Sequence, residues 1–197
     1  MKILVACERS GRVREAFRRK GHDAWSCDIV PADDRSEYHI RDDVMNHLSD
    51  GWDMMIAFPP CTHLAVSGAR WFTEGKKDIQ LQIDALAFVQ KLMDAPISKI
   101  AIENPVSVIS THIRKPDQII NPYQFGDPVP KKTCLWLKNL PKLKPTSVVE
   151  PQFIIGKDGK KYSLIHYMTP FDKDRQRKRS ITFQGIADAM AEQWGSD

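Results

Sequence analysis

The 197-residue chain has no apolar run of the ~18 residues that a membrane-spanning helix needs, and Lys2, Glu8 and Arg9 stand where a secretory leader would be apolar. An exported or membrane-embedded protein is therefore not expected, and a soluble cytoplasmic one is. The four cysteines, Cys7, Cys27, Cys61 and Cys134, include no CxxC pair. That argues against a zinc knuckle, and a chain of this size does not need disulfides to hold a core. The histidines lack metal-ligand spacing, so no metal site is expected. Walker A and GxGxxG motifs are both missing, which speaks against a phosphate loop or an NAD site. No repeat or linker interrupts the sequence, and a single domain over 1–197 follows.

What is present is a globular composition. Hydrophobic residues make up 42% and charged residues 27%, enough for a sizeable core and too apolar for a disordered chain. The formal charge of +4 hides an asymmetry: residues 110–180 hold 15 Lys+Arg against 6 Asp+Glu, so the rest of the chain is net acidic. A basic segment on such a body suits either a polyanion partner or an ordinary solvated face.

Apolar runs alternate with helical patterns. Lys2 to Cys7 reads as a buried strand, Arg12 to Lys20 as a helix burying Val13, Ala16 and Phe17, and His22 to Cys27 as a second strand. A brief third strand precedes Asp42 and Asp43, Trp52 to Phe58 forms the next, and Pro59-Pro60 ends it. Residues 62–77 read as a long loop with one turn of helix. Asp78 to Met93 reads as an amphipathic helix with Ile79, Ile83, Leu86, Ala87 and Val89 on its apolar side. Lys99 to Ile102 makes another strand, ended by Glu103-Asn104-Pro105. Lys132 to Leu137 adds one more, a hairpin is expected from Phe153–Ile155 and Lys161–Leu164, and Ile181 to Trp194 is helical. Repeated strand and helix units predict an α/β fold with a mostly parallel open sheet and helices on both faces. Ligands of such a sheet bind beyond the carboxyl ends of its strands, where Asp28, Cys61 and Glu103 all fall.

Cys61 follows two prolines that stiffen its backbone at a strand end. Nearby cations or helix-end amides would make its thiol a nucleophile toward an electron-poor carbon; alone, it is equally an inert cysteine. Glu103, directly after an apolar strand, suits proton exchange with a ring nitrogen or, alternatively, a helix cap. An acid at Asp28 has the placement to bond both hydroxyls of an adenosine ribose.

Pro59-Pro60-Cys61 and Glu103-Asn104-Pro105 resemble, in the right order, the proline-cysteine and glutamate-asparagine motifs of the C5-cytosine DNA methyltransferases. The resemblance covers residues 1–137 and 176–195. It implies a Rossmann-like class I methyltransferase domain, S-adenosylmethionine as cofactor, and DNA, duplex or single-stranded, or a pyrimidine nucleotide as partner. It also implies Cys61 as the nucleophile on cytosine C6, Glu103 as the proton-handling carboxyl and Asn104 as the residue holding the motif loop. On the cofactor side it points to Cys7, Glu8, Gly11 and Pro59, to Asp28 at the ribose and to Asp43 at the adenine amine. The first turn, Cys7-Glu8-Arg9-Ser10-Gly11, departs from the family's glycine-rich pattern.

Within QFGDPVPKKTCLWL, Lys131 and Lys132 stand where the family carries arginines, keeping charge without the planar fork. Arg177 and Arg179, in the densest basic run, are expected at DNA phosphate, and His63 beside the substrate. Trp71 and Phe72 either cover an extruded base or anchor the loop. Residues 138–175 form a short basic insertion in the place of a target-recognition region. Its cations Lys142, Lys144, Lys157, Lys160 and Lys161 accompany Phe153, Tyr162, Tyr167 and Phe171 as stacking surfaces. A noncatalytic DNA-binding relative remains the competing reading, and the sequence leaves the oligomeric state open.

Overall fold

A computed structural model describes residues 1–68, 70–156, 158–163 and 175–196. Lys157, Tyr167 and Phe171 lie outside the described residues. Seven strands form the main sheet: β1 (Lys2–Ala6), β2 (Asp23–Asp28), β3 (His39–Arg41), β4 (Met54–Ala57), β5 (Lys99–Pro105), β6 (Gln118–Ile120) and β7 (Thr133–Lys138). Their spatial order is β3-β2-β1-β4-β5-β7-β6. The first five run parallel, and β7 lies antiparallel to both β5 and β6. This is a doubly wound order with an antiparallel strand wedged in beside β5.

The apolar runs of β1 and β4 are buried on both faces, as central parallel strands must be. Ile3, Val5, Met54 and Ile56 join one core with Val13 and Phe17 of α1 (Arg12–Arg19) and Met190 and Trp194 of α6 (Gln184–Trp194). Leu4, Ala6, Met55 and Ala57 point the other way, to Val89 and Leu92 of α3 (Ile79–Met93). The result is a mixed α/β fold with helices on both faces of one sheet. Among the described residues no helix is long and apolar enough to cross a membrane.

Two expectations need correction. β5 does not stop at Ile102: the antiparallel partner β7 pairs with residues through Pro105, so Glu103 and Asn104 sit inside the strand. The apolar side of α3 is only partly covered, with Val89 and Leu92 buried while Ile79 and Ile83 stand exposed. Residues 62–77 hold a single helical turn, α2 (Arg70–Thr73), after a 3₁₀ turn at Val66–Gly68. The basic run at 176–180 lies in α5 (Arg175–Ser180). Two short elements carried no sequence signal, β6 and α4 (Ile109–His112). The expected hairpin is present as β8 (Phe153–Ile155) and β9 (Lys161–Ser163).

Candidate active site

Register places the candidate residues on one edge. Ala6 pairs with Ala57 and Ala57 with Ile102, so β1 and β4 end level with Ile102, and Cys7, Phe58 and Glu103 follow side by side while β5 runs on to Pro105. Thr133 opens β7 opposite Pro105, which brings Lys131 and Lys132 to the same edge from the opposite chain direction.

The Pro59-Pro60-Cys61 segment is held by hydrogen bonds rather than by apolar packing. The carbonyl of Cys61 accepts the amides of Leu64 at 3.1 Å and Ala65 at 2.9 Å, closing a tight turn behind the cysteine. Asn104, buried within β5, donates Nδ2–H to the Pro59 carbonyl at 2.9 Å. The following loops are laced together by Val66 N–H to Val106 at 3.2 Å and Val108 N–H to Leu64 at 2.9 Å. Cys61 itself is exposed, and its cysteine is free. His63 offers its carbonyl to Gln82 and packs edge-on to Phe72, with ring centroids 6.3 Å apart. Trp71 sits instead among the cations of Arg70 and Lys76. His63 Nδ1 and Asn104 Oδ1 are buried without a hydrogen-bond partner among the described residues.

Glu103, Lys131, Thr133 and the Ser180–Phe183 segment enclose a cleft of about 20 Å³. Lys131 donates to the Arg179 carbonyl at 3.0 Å, so the end of α5 is fastened beside Glu103. The electrostatics couple the site. Burial pushes the Glu103 carboxyl above the ordinary range, and Lys131 pulls it down. Partial desolvation of the sulfur, although the residue is exposed overall, and then the Glu103 carboxylate push the Cys61 thiol up, while Lys131 and Arg179 pull it down. Cys61, Glu103, Lys131 and Arg179 thus act on one another although 118 positions separate the first from the last. Lys132 does not join them: it is exposed, and its charge acts on Cys134. Alternation along an extended chain explains the split between neighbouring lysines. Arg177 is also turned away from Cys61, pairing with Asp33 at 3.2 Å, and Asp33 in turn holds Arg9 at 2.7 Å.

On the cofactor side, Asp28 ends β2 and accepts the Val30 amide at 3.1 Å. Asp43 caps a 3₁₀ turn through the Met45 amide at 3.0 Å. Asp28 and Asp43 both act on Cys7, whose thiol burial and these charges push up to about 12. Cys7 adopts φ 58, a left-handed conformation costly for a side chain and commonest where backbone strain serves a site. Pro59 is buried beneath this edge. Gly11 has φ 73, and a Cβ there would collide with Arg14 and Asp34.

Glu8 is committed locally. Its oxygens accept the Val13 amide at 2.8 Å, the Arg14 amide at 3.2 Å and the Ser10 hydroxyl at 3.2 Å, so this carboxylate caps α1. The first amides of α1 are thus already taken by Glu8. Burial outweighs these hydrogen bonds and raises the Glu8 pKa from its usual 4.5 to about 7. The folded chain therefore holds this proton more tightly than the unfolded one. The corresponding stability is present below pH 4.5 and lost as pH rises through about 7. Glu8→Gln is expected to flatten the fall in stability between those limits, by at most about 3 kcal/mol, read from urea unfolding at acid and mildly alkaline pH.

The expected helix over Ile181 to Trp194 begins only at Gln184, and Ile181 to Phe183 line the cleft beside Glu103 instead. Asp33 carried no sequence signal as the partner of Arg9 and Arg177.

No family model matches the chain, and no curated protein matches it. Among solved structures, the chain is similar to a provisionally assigned DNA modification methyltransferase encoded within a prophage of E. coli, with 14% identity and a TM-score of 0.47. The match covers 75% of this chain and 51% of that one, so the chain spans about half the length of its relative.

Proposed function

We propose that this chain is a DNA cytosine C5-methyltransferase that uses S-adenosylmethionine and a transient Cys61 adduct. The observation that carries the reading is the buried 2.9 Å bond from Asn104 to the Pro59 carbonyl. It joins the strand bearing Glu103 to the loop bearing Cys61, so the two reacting groups are held as a unit.

In this mechanism the Cys61 thiolate adds to C6 of an extruded cytosine. As the S–C6 bond forms, the C5=C6 electron pair moves onto C5, and Glu103, as the carboxylic acid, gives a proton to N3 to offset the charge building on the ring. When bound, S-adenosylmethionine supplies the electrophilic methyl group that C5 takes up. Transfer of the C5 proton to a solvent base re-forms the C5=C6 bond as the thiolate leaves, and N3 returns its proton to the Glu103 carboxylate, which restores the acid. Asp28 and Asp43 hold the adenosine, Cys7 and Gly11 shape the turn beneath it, and Arg179 and the exposed lysines attract the DNA backbone.

Lys131 is the electrostatic pivot, since it favours both thiolate and carboxylate. Lys131→Met is expected to raise the Cys61 pKa further. Its activity deficit should be largest at neutral pH and narrow as pH rises, read from initial rates across the alkaline limb. A profile that keeps its shape would remove Lys131 from this role.

A noncatalytic DNA-binding reading draws on one observation, the closed space beside Glu103, which has room for a water and not for a pyrimidine. The deciding experiment supplies labelled S-adenosylmethionine with duplex DNA, single-stranded DNA or free cytidine nucleotides, followed by base analysis. Label in 5-methylcytosine from duplex or single-stranded DNA is expected. Label confined to the free nucleotide would move the substrate class, and DNA binding without label in any acceptor would overturn the enzyme.

A further inference from the structure

His47 follows the 3₁₀ turn Val44–Asn46, which Asp43 caps. Both nitrogens of its ring meet carboxylates: Nδ1 lies 2.8 Å from Asp50 Oδ2, and Nε2 lies 3.1 Å from Asp42 Oδ2. A carboxylate oxygen only accepts, whereas a neutral imidazole has one N–H to give. Both contacts hold together only when the ring carries two protons, so the geometry calls for an imidazolium. The backbone beneath the ring is fixed too, because the His47 carbonyl accepts the indole N–H of buried Trp52 at 2.7 Å.

Asp42 is more than a counterion to this ring. Its Oδ1 accepts the Asp43 amide at 2.7 Å, and its two oxygens each lie 3.3 Å from the Asn46 amide nitrogen. The carboxylate gripped by His47 therefore fixes the backbone at Asp43. Asp43 in turn spends Oδ1 on the Met45 amide at 3.0 Å, while its Oδ2 makes no hydrogen bond among the described residues.

We propose that His47 is a positioning residue for the adenosine site: as the imidazolium it holds Asp42 against the Asp43 amide, and on losing a proton it releases Asp42. This rests on the reading of Asp43 as an adenosine ligand. The shorter contact decides which carboxylate is kept. A neutral ring donates to Asp50, and its bare Nε2 is left facing the Asp42 oxygen, lone pair against lone pair. Asp50 foremost, with Asp42 behind it, raises the His47 pKa above its ordinary value against the pull of burial. Adenosine affinity should therefore fall as pH rises past that point. The other charged groups bonded around the clamp are Lys2 of β1, which donates to the Asp50 carbonyl at 2.7 Å, and Asp53, which accepts the Lys2 amide at 2.7 Å. From β2 the Cys27 thiol donates to the Asp42 carbonyl at 3.4 Å, and burial pushes that thiol up to about 12, so it keeps its proton throughout.

Titration of the full chain with adenosine between about pH 5.5 and 9 tests the clamp. Adenosine is the probe because it lacks the amino-acid end of S-adenosylmethionine, which titrates itself. Wild-type affinity should fall about 3- to 5-fold with rising pH, the scale of one half-exposed ion pair. The midpoint should coincide with the His47 pKa read from its ring proton resonances. His47→Gln should bind at the wild-type alkaline level throughout, and His47→Arg, charged at every pH, should keep the acid-side affinity. Glu8, which titrates near 7, is present in all three chains, so its contribution cancels in the comparison. A fall that persists in His47→Gln, a midpoint apart from the His47 pKa, or an arginine variant as weak as the glutamine one would each overturn the positioning role while the cofactor reading stands. A chain that binds no adenosine at any pH would overturn both.

Discussion

Cys61→Ser is expected to abolish methyl transfer, with a loss of about 10³-fold or more, while DNA binding is retained. A serine hydroxyl is far harder to ionise than a thiol, and the Glu103 carboxylate that raises the Cys61 pKa would oppose an alkoxide as well. The fold of the loop does not depend on the sulfur. The Cys61 carbonyl closes the turn, and Asn104 holds Pro59, so the substituted loop keeps its shape. Labelled-methyl incorporation and an electrophoretic mobility shift on the same preparation separate the two outcomes. Undiminished turnover by the serine variant would remove Cys61 from the chemistry, and loss of DNA binding would mark it as structural.

Glu103→Gln should reduce turnover roughly 10²- to 10⁴-fold, because an amide of the same shape has no acidic proton to give N3. Its pH dependence carries more information than its rate. The Glu103 charge raises the Cys61 pKa, so removing it should let the thiol ionise at lower pH and move the rising limb of the profile toward acid. Lys131→Met moves the same limb toward alkali. Opposite displacements by two substitutions at one cleft would identify Cys61 as the titrating group, whereas a structural defect would lower the rate without moving the limb. DNA containing 5-fluorocytosine adds a direct reading, since fluorine at C5 cannot leave as a proton and the adduct accumulates. The glutamine variant should form that adduct more slowly. An equal rate of trapping would place Glu103 outside ring activation.

The course of the chain through the first five strands was legible because buried parallel strands are short apolar runs with few alternatives. Cys61 follows β4 and Asp28 ends β2, as their flanking residues indicate. Glu103 was read as leaving its strand because Asn104-Pro105 normally stops one. The ladder continues because β7 supplies an antiparallel partner from a distant segment. Local pattern cannot register such a partner. α3 shows the same limit from the other side: its apolar residues are plain in the sequence, but not which of them the body of the protein covers.

The first turn shows where residue identity and role part company. Glu8 lies in the segment aligned with cofactor binding, and nothing in Cys7-Glu8-Arg9-Ser10-Gly11 says that its carboxylate turns back to cap α1. Lys131 and Lys132 are likewise indistinguishable as letters. Only the alternation of an extended backbone sends one toward Glu103 and the other to solvent.

By itself the sequence determined the order of strands and helices, the absence of a long apolar span, and the residue types available at the carboxyl ends of the strands. Those follow from local backbone preference and from apolar periodicity, which act over a few residues. The tertiary structure alone decided that Asn104 ties the Cys61 loop to the Glu103 strand, that Lys131 acts on both Cys61 and Glu103, and that Ile79, Leu81 and Ile83 of α3 stand exposed. Hydrogen bonds, Coulomb interactions and burial depend on distance in space, and the residues involved become neighbours only once the sheet has assembled.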